Sequence, residues 1–215
     1  MTLLLEKISL TVGDVLLVKS FTLSVEAGEI VTLMGPSGCG KSSLLAYIAG
    51  DLTAPMKGSG RVLLDRIDLV QVPPERRRVG RLFQDDLLFP HLTIAENLLF
   101  GIPRGNPVER QNLVNEALSQ AQLDGLENRA PDTLSGGQKA RVALFRALMA
   151  KPQAMLLDEP FSKLDAELRQ SIRNYVFAHL RERNIPTLLV THDREDAPPG
   201  GRIFRFSNKG ELLRA

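Results

Sequence analysis

Along the first 33 residues apolar and polar positions alternate in places, as in "KISLTV" and "SFTLSV". That period of two predicts half-buried antiparallel strands. "GRVLLDRIDL" (60–69) continues the theme as the edge of a further strand pair. Three short runs behave differently: "IVTLM" (30–34), "AMLLD" (154–158) and "TLLVT" (187–191) are largely apolar, of strand length, and end in polar or glycine-bearing turns. Strands apolar on both faces predict a parallel sheet covered by helices. Sheets of that kind bind ligands at the C-terminal ends of their strands. From roughly residue 91 to 152 the period becomes helical, with Val114, Ala117, Leu118 and Ala121 on one face. Gly125 and Pro131 punctuate this stretch, and Pro152 ends the helix that follows Gln138. The pattern predicts one α/β domain over 1–215, with a core lobe at about 1–90 and 153–215 and a helical lobe inserted at about 91–152.

Composition adds boundaries. A mass of 23.7 kDa suits one domain or a domain with an inserted lobe. At 43% apolar and 24% charged residues the chain can bury a core without covalent staples. Its net charge of +2 creates no general field for nucleic acid. The arginines of "PERRRVG" (Arg76 to Arg78) are expected on a solvated or carboxylate-paired face rather than on RNA or DNA. A single cysteine, Cys39, excludes an internal disulfide and a multi-cysteine zinc site, which fits a reducing cytoplasm. The N-terminus lacks the basic start and cleavage site of a signal peptide, and no stretch approaches ~18 uninterrupted apolar residues. Any work at a membrane therefore needs another chain to hold this one there.

The chemistry sits where the three apolar runs end. "GPSGCGKSS" follows the first run and precedes "SLLAYIAG", a helical stretch, as a phosphate-binding loop requires. Gly35, Pro36, Ser37, Gly38, Cys39 and Gly40 let backbone N–H groups close around phosphates. Lys41 supplies charge to the β- and γ-phosphates, the Ser42 hydroxyl can ligate Mg²⁺, and Ser43 can reach the α-phosphate. Cys39 is read as a small side chain that fits the loop. After the second run, Asp158 can hold Mg²⁺ through water, and Glu159, ionised at neutral pH, can take a proton from an attacking water. After the third, His192 can donate to a γ-phosphate and orient that water. Another anion-binding helix start appears at Ser135-Gly136-Gly137-Gln138, ahead of a long run of helix formers.

Taken in order, "GPSGCGKSS", Gln84 in "RLFQDD", "LSGGQKAR", "MLLDEP", "SKLD" and "THD" resemble the ATP-binding subunit of an ABC transporter over essentially the whole chain. "LFPHLTIAENLLFG" (87–101) is similar to importer-type members. The resemblance implies a P-loop NTPase (RecA-like) parallel-sheet core with an N-terminal antiparallel β-subdomain and an inserted α-helical subdomain. It implies ATP and Mg²⁺ as ligands, Glu159 as catalytic base, His192 as the γ-phosphate switch, and Gln84 linking Mg²⁺ and water to the transporter contact. Two copies would pack head to tail, with Ser135, Gly136, Gly137 and Gln138 of one capping the γ-phosphate on the other's loop and Asp165 at the dimer contact. One helix terminus supplies only ~0.5 of an elementary charge, so a triphosphate gains from several. The implied partners are a second ATPase subunit, integral membrane permease subunits and a solute-binding protein, at the cytoplasmic face of the membrane. The competing reading is a soluble ABC-type ATPase not engaged in transport. Such proteins usually carry two P-loops or a coiled-coil insertion, and this chain has neither.

Three positions depart from the family pattern. Where relatives carry an aromatic that stacks on adenine, counting back from Gly35 lands on Val12, and no Phe, Tyr or Trp lies between Met1 and Ser20. Loose hold on the base is the expectation. After His192, "DREDAPPGGRIF" should break a helix at Pro198 and Pro199, and no appended ligand-sensing domain is expected. Lys163 in "SKLD" stands where small or amide residues are usual, and a solvated side chain is expected there.

Overall fold

A computed structural model describes residues 1–215. The chain divides into two compact units. The first comprises Met1–Arg81, Gln153–Glu159 and Phe177–Ala215; the second comprises Leu82–Pro152 and Pro160–Val176.

In the first unit, β1 (Leu3–Val12) and β2 (Val15–Val25) form an antiparallel hairpin whose alternating burial follows the period-two pattern. β3 (Ile30–Met34) leads into α1 (Lys41–Ala49). β4 (Met56–Leu64) and β5 (Ile67–Asp68) complete an antiparallel sheet of order β2-β1-β4-β5. A second sheet adds β6 (Val79–Leu82), β7 (Ala154–Asp158), β8 (Thr187–Val190), β9 (Ile203–Phe206) and β10 (Leu212–Arg214), in the order β10-β9-β3-β8-β7-β6. β7 pairs with β8, β8 with β3 and β3 with β9 in parallel, and β10 turns back antiparallel to β9. β7 and β8 are buried at every residue, which is why they read as unbroken apolar runs. Leu3, Leu5, Leu33, Leu44, Leu156 and Leu188 belong to one buried cluster, so both sheets and α1 share a core.

The expectation for the arginine run holds only at its flanks. Arg76 and Arg78 are exposed, but Arg77 is 6% exposed. Its guanidinium donates to the carbonyls of Val72, Tyr47, Ile48 and Val70. Tyr47 and Ile48 belong to the last turn of α1, where carbonyls lack helical partners, so Arg77 closes that end of the helix.

In the second unit, α2 (Ile94–Gly101) opens on a capping box between Thr93 and Glu96. α3 (Pro107–Gln120) buries Val114, Ala117 and Leu118, with Ala121 buried at its C-cap, so the helical face read from the sequence is the one that packs. α4 (Gly136–Met149) packs against α2 closely enough that a side chain at Gly101 would strike the Arg146 backbone. A last helix, α5 (Ala166–Glu182), starts in the second unit and ends in the first. The sequence pattern above leaves it unassigned.

Candidate active site at the strand ends

In the first unit the P-loop leaves β3 and enters α1 through Gly40, whose φ of 93° is open to glycine at little cost. A Cβ there would also lie 3.0 Å from the Val18 side chain, so the loop is pressed under β2. Lys41 Nζ donates to the carbonyls of Gly35 and Pro36, both at 2.8 Å, and reaches Cys39 Sγ at 3.8 Å. Its ammonium is thus held at the mouth of the loop. Gly35, Pro36 and His192 also line an open cleft of about 700 Å³ that includes Arg205, Ser207 and Arg214 of the terminal hairpin.

Behind the loop, the Ser42 side chain lies near the Asp158 carboxyl at the end of β7, close enough to favour its charged form. Asp158 is 3% exposed. Burial pushes its carboxyl above the usual range, against the nearby Ser42 hydroxyl and the charges of Arg81 and Lys41. A hydroxyl and a buried carboxylate form an all-oxygen donor set, which suits a hard divalent cation such as Mg²⁺.

Glu159 follows with φ 51°, in the left-handed region that is uncommon for a residue other than glycine. Its N–H donates to the Val190 carbonyl at 2.9 Å, which fixes it against β8. Its carboxylate oxygens each lie 2.9 Å from His192 Nδ1. The hydrogen bond and then the charge of Glu159 raise the exposed His192 imidazole's pKa above its ordinary value. The Thr191 hydroxyl donates to the buried Asp196 carboxylate at 3.0 Å and accepts from the Asp193 N–H at 3.1 Å. That pins the segment carrying His192. Beyond it the chain makes only a 3-10 turn at Arg194–Asp196 before the prolines, so no helix follows. Thr191 and Asp196 had no motif to announce them; the one signal was polar residues at a strand end.

The second unit carries the other sequence-derived candidates. Gln84 is exposed at a bend after β6. Asp165 is exposed just before α5, and its carbonyl accepts from the Arg169 N–H at 2.8 Å. Ser135 caps α4: its hydroxyl accepts from the Gln138 N–H at 3.3 Å, and Gln138 Oε1 accepts from the Ser135 N–H at 2.9 Å. This capping box locks both side chains, and the N–H groups of Gly136 and Gly137, in the first turn, have no partner within the helix. A side chain at Gly137 would lie 2.9 Å from the Lys163 carbonyl, so that glycine has an internal reason. Nothing in the chain lies within 4 Å of a side chain at Gly136, and its φ is not in the left-handed region. Glycine inside a helix costs about 0.5–1 kcal/mol relative to alanine.

Lys163 is not simply solvated. Its Nζ pairs with Asp86 at 3.1 Å, two residues beyond Gln84. The same 86–89 segment is gripped by Arg146, which donates to the carbonyls of Asp86 and Leu87 and lies 5.1 Å above the Phe89 ring. Those long-range pairs had no local signature.

Residues 18–162 match the family described as ABC transporter. The chain is 44% identical over 214 residues to the protein named uncharacterized ABC transporter ATP-binding protein YnjD of Escherichia coli (strain K12), covering 97% of each. It is 46% identical over 203 residues to the spermidine/putrescine import ATP-binding protein PotA of Acidothermus cellulolyticus, with 93% of this chain and 52% of that protein covered. It is 43% identical over 199 residues to the sulfate/thiosulfate import ATP-binding protein CysA of Synechocystis sp., of which it spans 55%. The chain thus spans about half the length of these two import relatives. The solved ATP-binding cassette MJ0796, in a dimeric post-hydrolysis state with ADP and Pi, superposes with a TM-score of 0.83 at 32% identity, over 98% of this chain and 96% of that one.

Proposed function

The chain belongs to the ABC transporter ATP-binding family and is an ATPase, and from that premise we infer that it is the energy-coupling subunit of a membrane importer for a small solute. The observation that carries the site assignment is the adjacency of two pairs at neighbouring strand ends: Ser42 with Asp158, and Glu159 with His192. Lys41 and the loop N–H groups bind the phosphates of ATP. Ser42 and Asp158 would hold Mg²⁺, which when bound neutralises phosphate charge, and the family resemblance assigns Gln84 to the same ion. Glu159 accepts the proton of the attacking water. His192, tethered to Glu159, orients that water and donates to the γ-phosphate.

The remaining residues point outside the chain. The N–H groups of Gly136 and Gly137, without a partner in the helix, and a glycine that nothing internal demands support a role for Ser135 to Gln138 on the nucleotide of a second copy. Asp165 lies at that dimer contact. Gln84 and the 87–101 segment face the permease, where Leu87 and Phe100 expose 57% and 66% of their surface. No helix is long and apolar enough to cross a membrane, so attachment at the cytoplasmic face is through those permease subunits, with a solute-binding protein delivering cargo. Import rests on the 87–101 resemblance and on the similarity to the spermidine/putrescine and sulfate/thiosulfate import ATP-binding proteins. Isolating the tagged chain from gently solubilised membranes tests this. A multi-span protein recovered in stoichiometric amount is expected; recovery of the chain from the soluble fraction alone would favour an ATPase not engaged in transport.

The base-binding edge gives a second expectation. Val12 ends β1 and pairs with Val15 across the hairpin, while Leu17 and Val18 cover Gly40. Adenine meets aliphatic side chains here, without the ~1–3 kcal/mol that stacking on an aromatic supplies. Competition binding should show ATP preferred over GTP by less than ~100-fold, because aliphatic contact offers no hydrogen bonds to the edge groups that distinguish the two purines. A larger preference would refute loose base recognition.

A further inference from the structure

Beside the Ser42–Asp158 pair lies a second charged pair that no step above uses. Arg81, near the end of β6, has a side chain only 12% exposed. Its Nη1 donates to both carboxylate oxygens of Asp51, at 2.6 and 2.7 Å, and its Nη2 donates to the Ser42 carbonyl at 3.3 Å. Asp51 directly follows Gly50, the left-handed residue that ends α1, whereas Ser42 is in the first turn of that helix. One guanidinium from the sheet therefore grips the helix in its first turn and the chain just past its last. Its charge is also close enough to act on Asp158.

Packing alone does not call for ions here. A partly buried ion pair pays desolvation that a pair of apolar side chains of similar volume avoids, so its retention is better explained by what it positions. The planar fork of arginine serves a carboxylate and a carbonyl together, which a lysine ammonium on its flexible stem does not reproduce. The held carbonyl belongs to the same residue as the hydroxyl that meets Asp158. Fixing it removes the freedom of the first turn to rotate that hydroxyl away.

We propose that Arg81, braced by Asp51, is a positioning residue for the Mg²⁺ site, holding the first turn of α1 so that the Ser42 hydroxyl and the Asp158 carboxylate stay aligned on one cation. The inference rests on the reading of Ser42 and Asp158 as Mg²⁺ ligands. It concerns residues to which the steps above give no contact with nucleotide or metal.

The test is binding of a fluorescent ATP analogue, titrated with Mg²⁺ and separately in EDTA, so that hydrolysis is not the readout. The double variant Arg81→Met/Asp51→Leu removes both charges and leaves no unpaired carboxylate. Loss of an outer-shell partner typically costs ~10–100-fold in metal affinity, so the Mg²⁺ concentration that half-saturates the tightening should rise at least ~10-fold, with affinity in EDTA within about twofold of wild type. Arg81→Lys, which keeps the charge, should shift the Mg²⁺ dependence in the same direction. An unchanged Mg²⁺ dependence in the double variant, full wild-type behaviour of Arg81→Lys, or an equal loss of affinity in EDTA would each overturn the proposal. A wild-type chain indifferent to Mg²⁺ would instead refute the metal reading itself, and the positioning role with it.

Discussion

Glu159→Gln is expected to bind ATP with near-native affinity and to hydrolyse it ~10²–10⁴-fold more slowly, the usual worth of a positioned general base. The amide keeps the size of the side chain and can still hydrogen-bond His192 Nδ1, 2.9 Å from the carboxylate oxygens, but it takes no proton. The left-handed backbone at Glu159 is tied to Val190 through a main-chain bond, which the substitution leaves alone. The loss should therefore fall on kcat rather than on nucleotide binding. Single-turnover hydrolysis measured alongside ATP affinity checks it. A near-native rate would show that another group takes the proton.

Ser135→Arg is the second large effect, and its interest lies in what it spares. Within its own helix the change removes the capping hydroxyl, at a cost of about 0.5–2 kcal/mol, and sets a cation where the helix end is already positive. α4 is nevertheless anchored by Val142, Leu144 and Phe145, all buried, so the helix survives. ATP affinity in the separate chain should stay native, because the loop at Gly35 to Ser43 belongs to the other unit. Hydrolysis should fall by at least ~10²-fold, the scale on which losing preorganised hydrogen-bond donors at a reacting centre is felt. Ser135→Ala, which loses only the cap, separates the two effects and should retain far more activity. Rates measured at equal ATP saturation decide this, and normal turnover in Ser135→Arg would refute a shared site.

The parts of this molecule that were legible in the sequence are those whose physics is local. β3, β7 and β8 are buried on both faces, so they appear as unbroken apolar runs, and Gly35 to Ser42, Asp158 and His192 follow them directly. The α3 face at Val114, Ala117 and Leu118 was legible because its repeat matches the helix. What stayed hidden depends on partners distant along the chain. Arg77 reads as one of three surface arginines until the α1 carbonyls are placed around it. Lys163 reads as solvated until Asp86 is found beside it, and nothing local marks Arg81 as the partner of Asp51. α5 escaped notice, although Ile172, Val176 and Leu180 are buried along it at steps of four. Ser135 to Gln138 was legible as an anion-binding start, but the structure adds that the two polar side chains satisfy each other. The N–H groups of the intervening glycines are the ones this box leaves unused.

A nucleotide held between two copies of the chain is the central feature of the proposed mechanism. The most direct test is the solution mass of the Glu159→Gln variant with ATP, measured by light scattering, with and without Ser135→Arg added. Glu159→Gln alone should run at 23.7 kDa without nucleotide and at about twice that mass with ATP. Adding Ser135→Arg should return it to the monomer mass while ATP remains bound. A Glu159→Gln chain that stays monomeric in saturating ATP, or a doubly substituted chain that still dimerises, would contradict it.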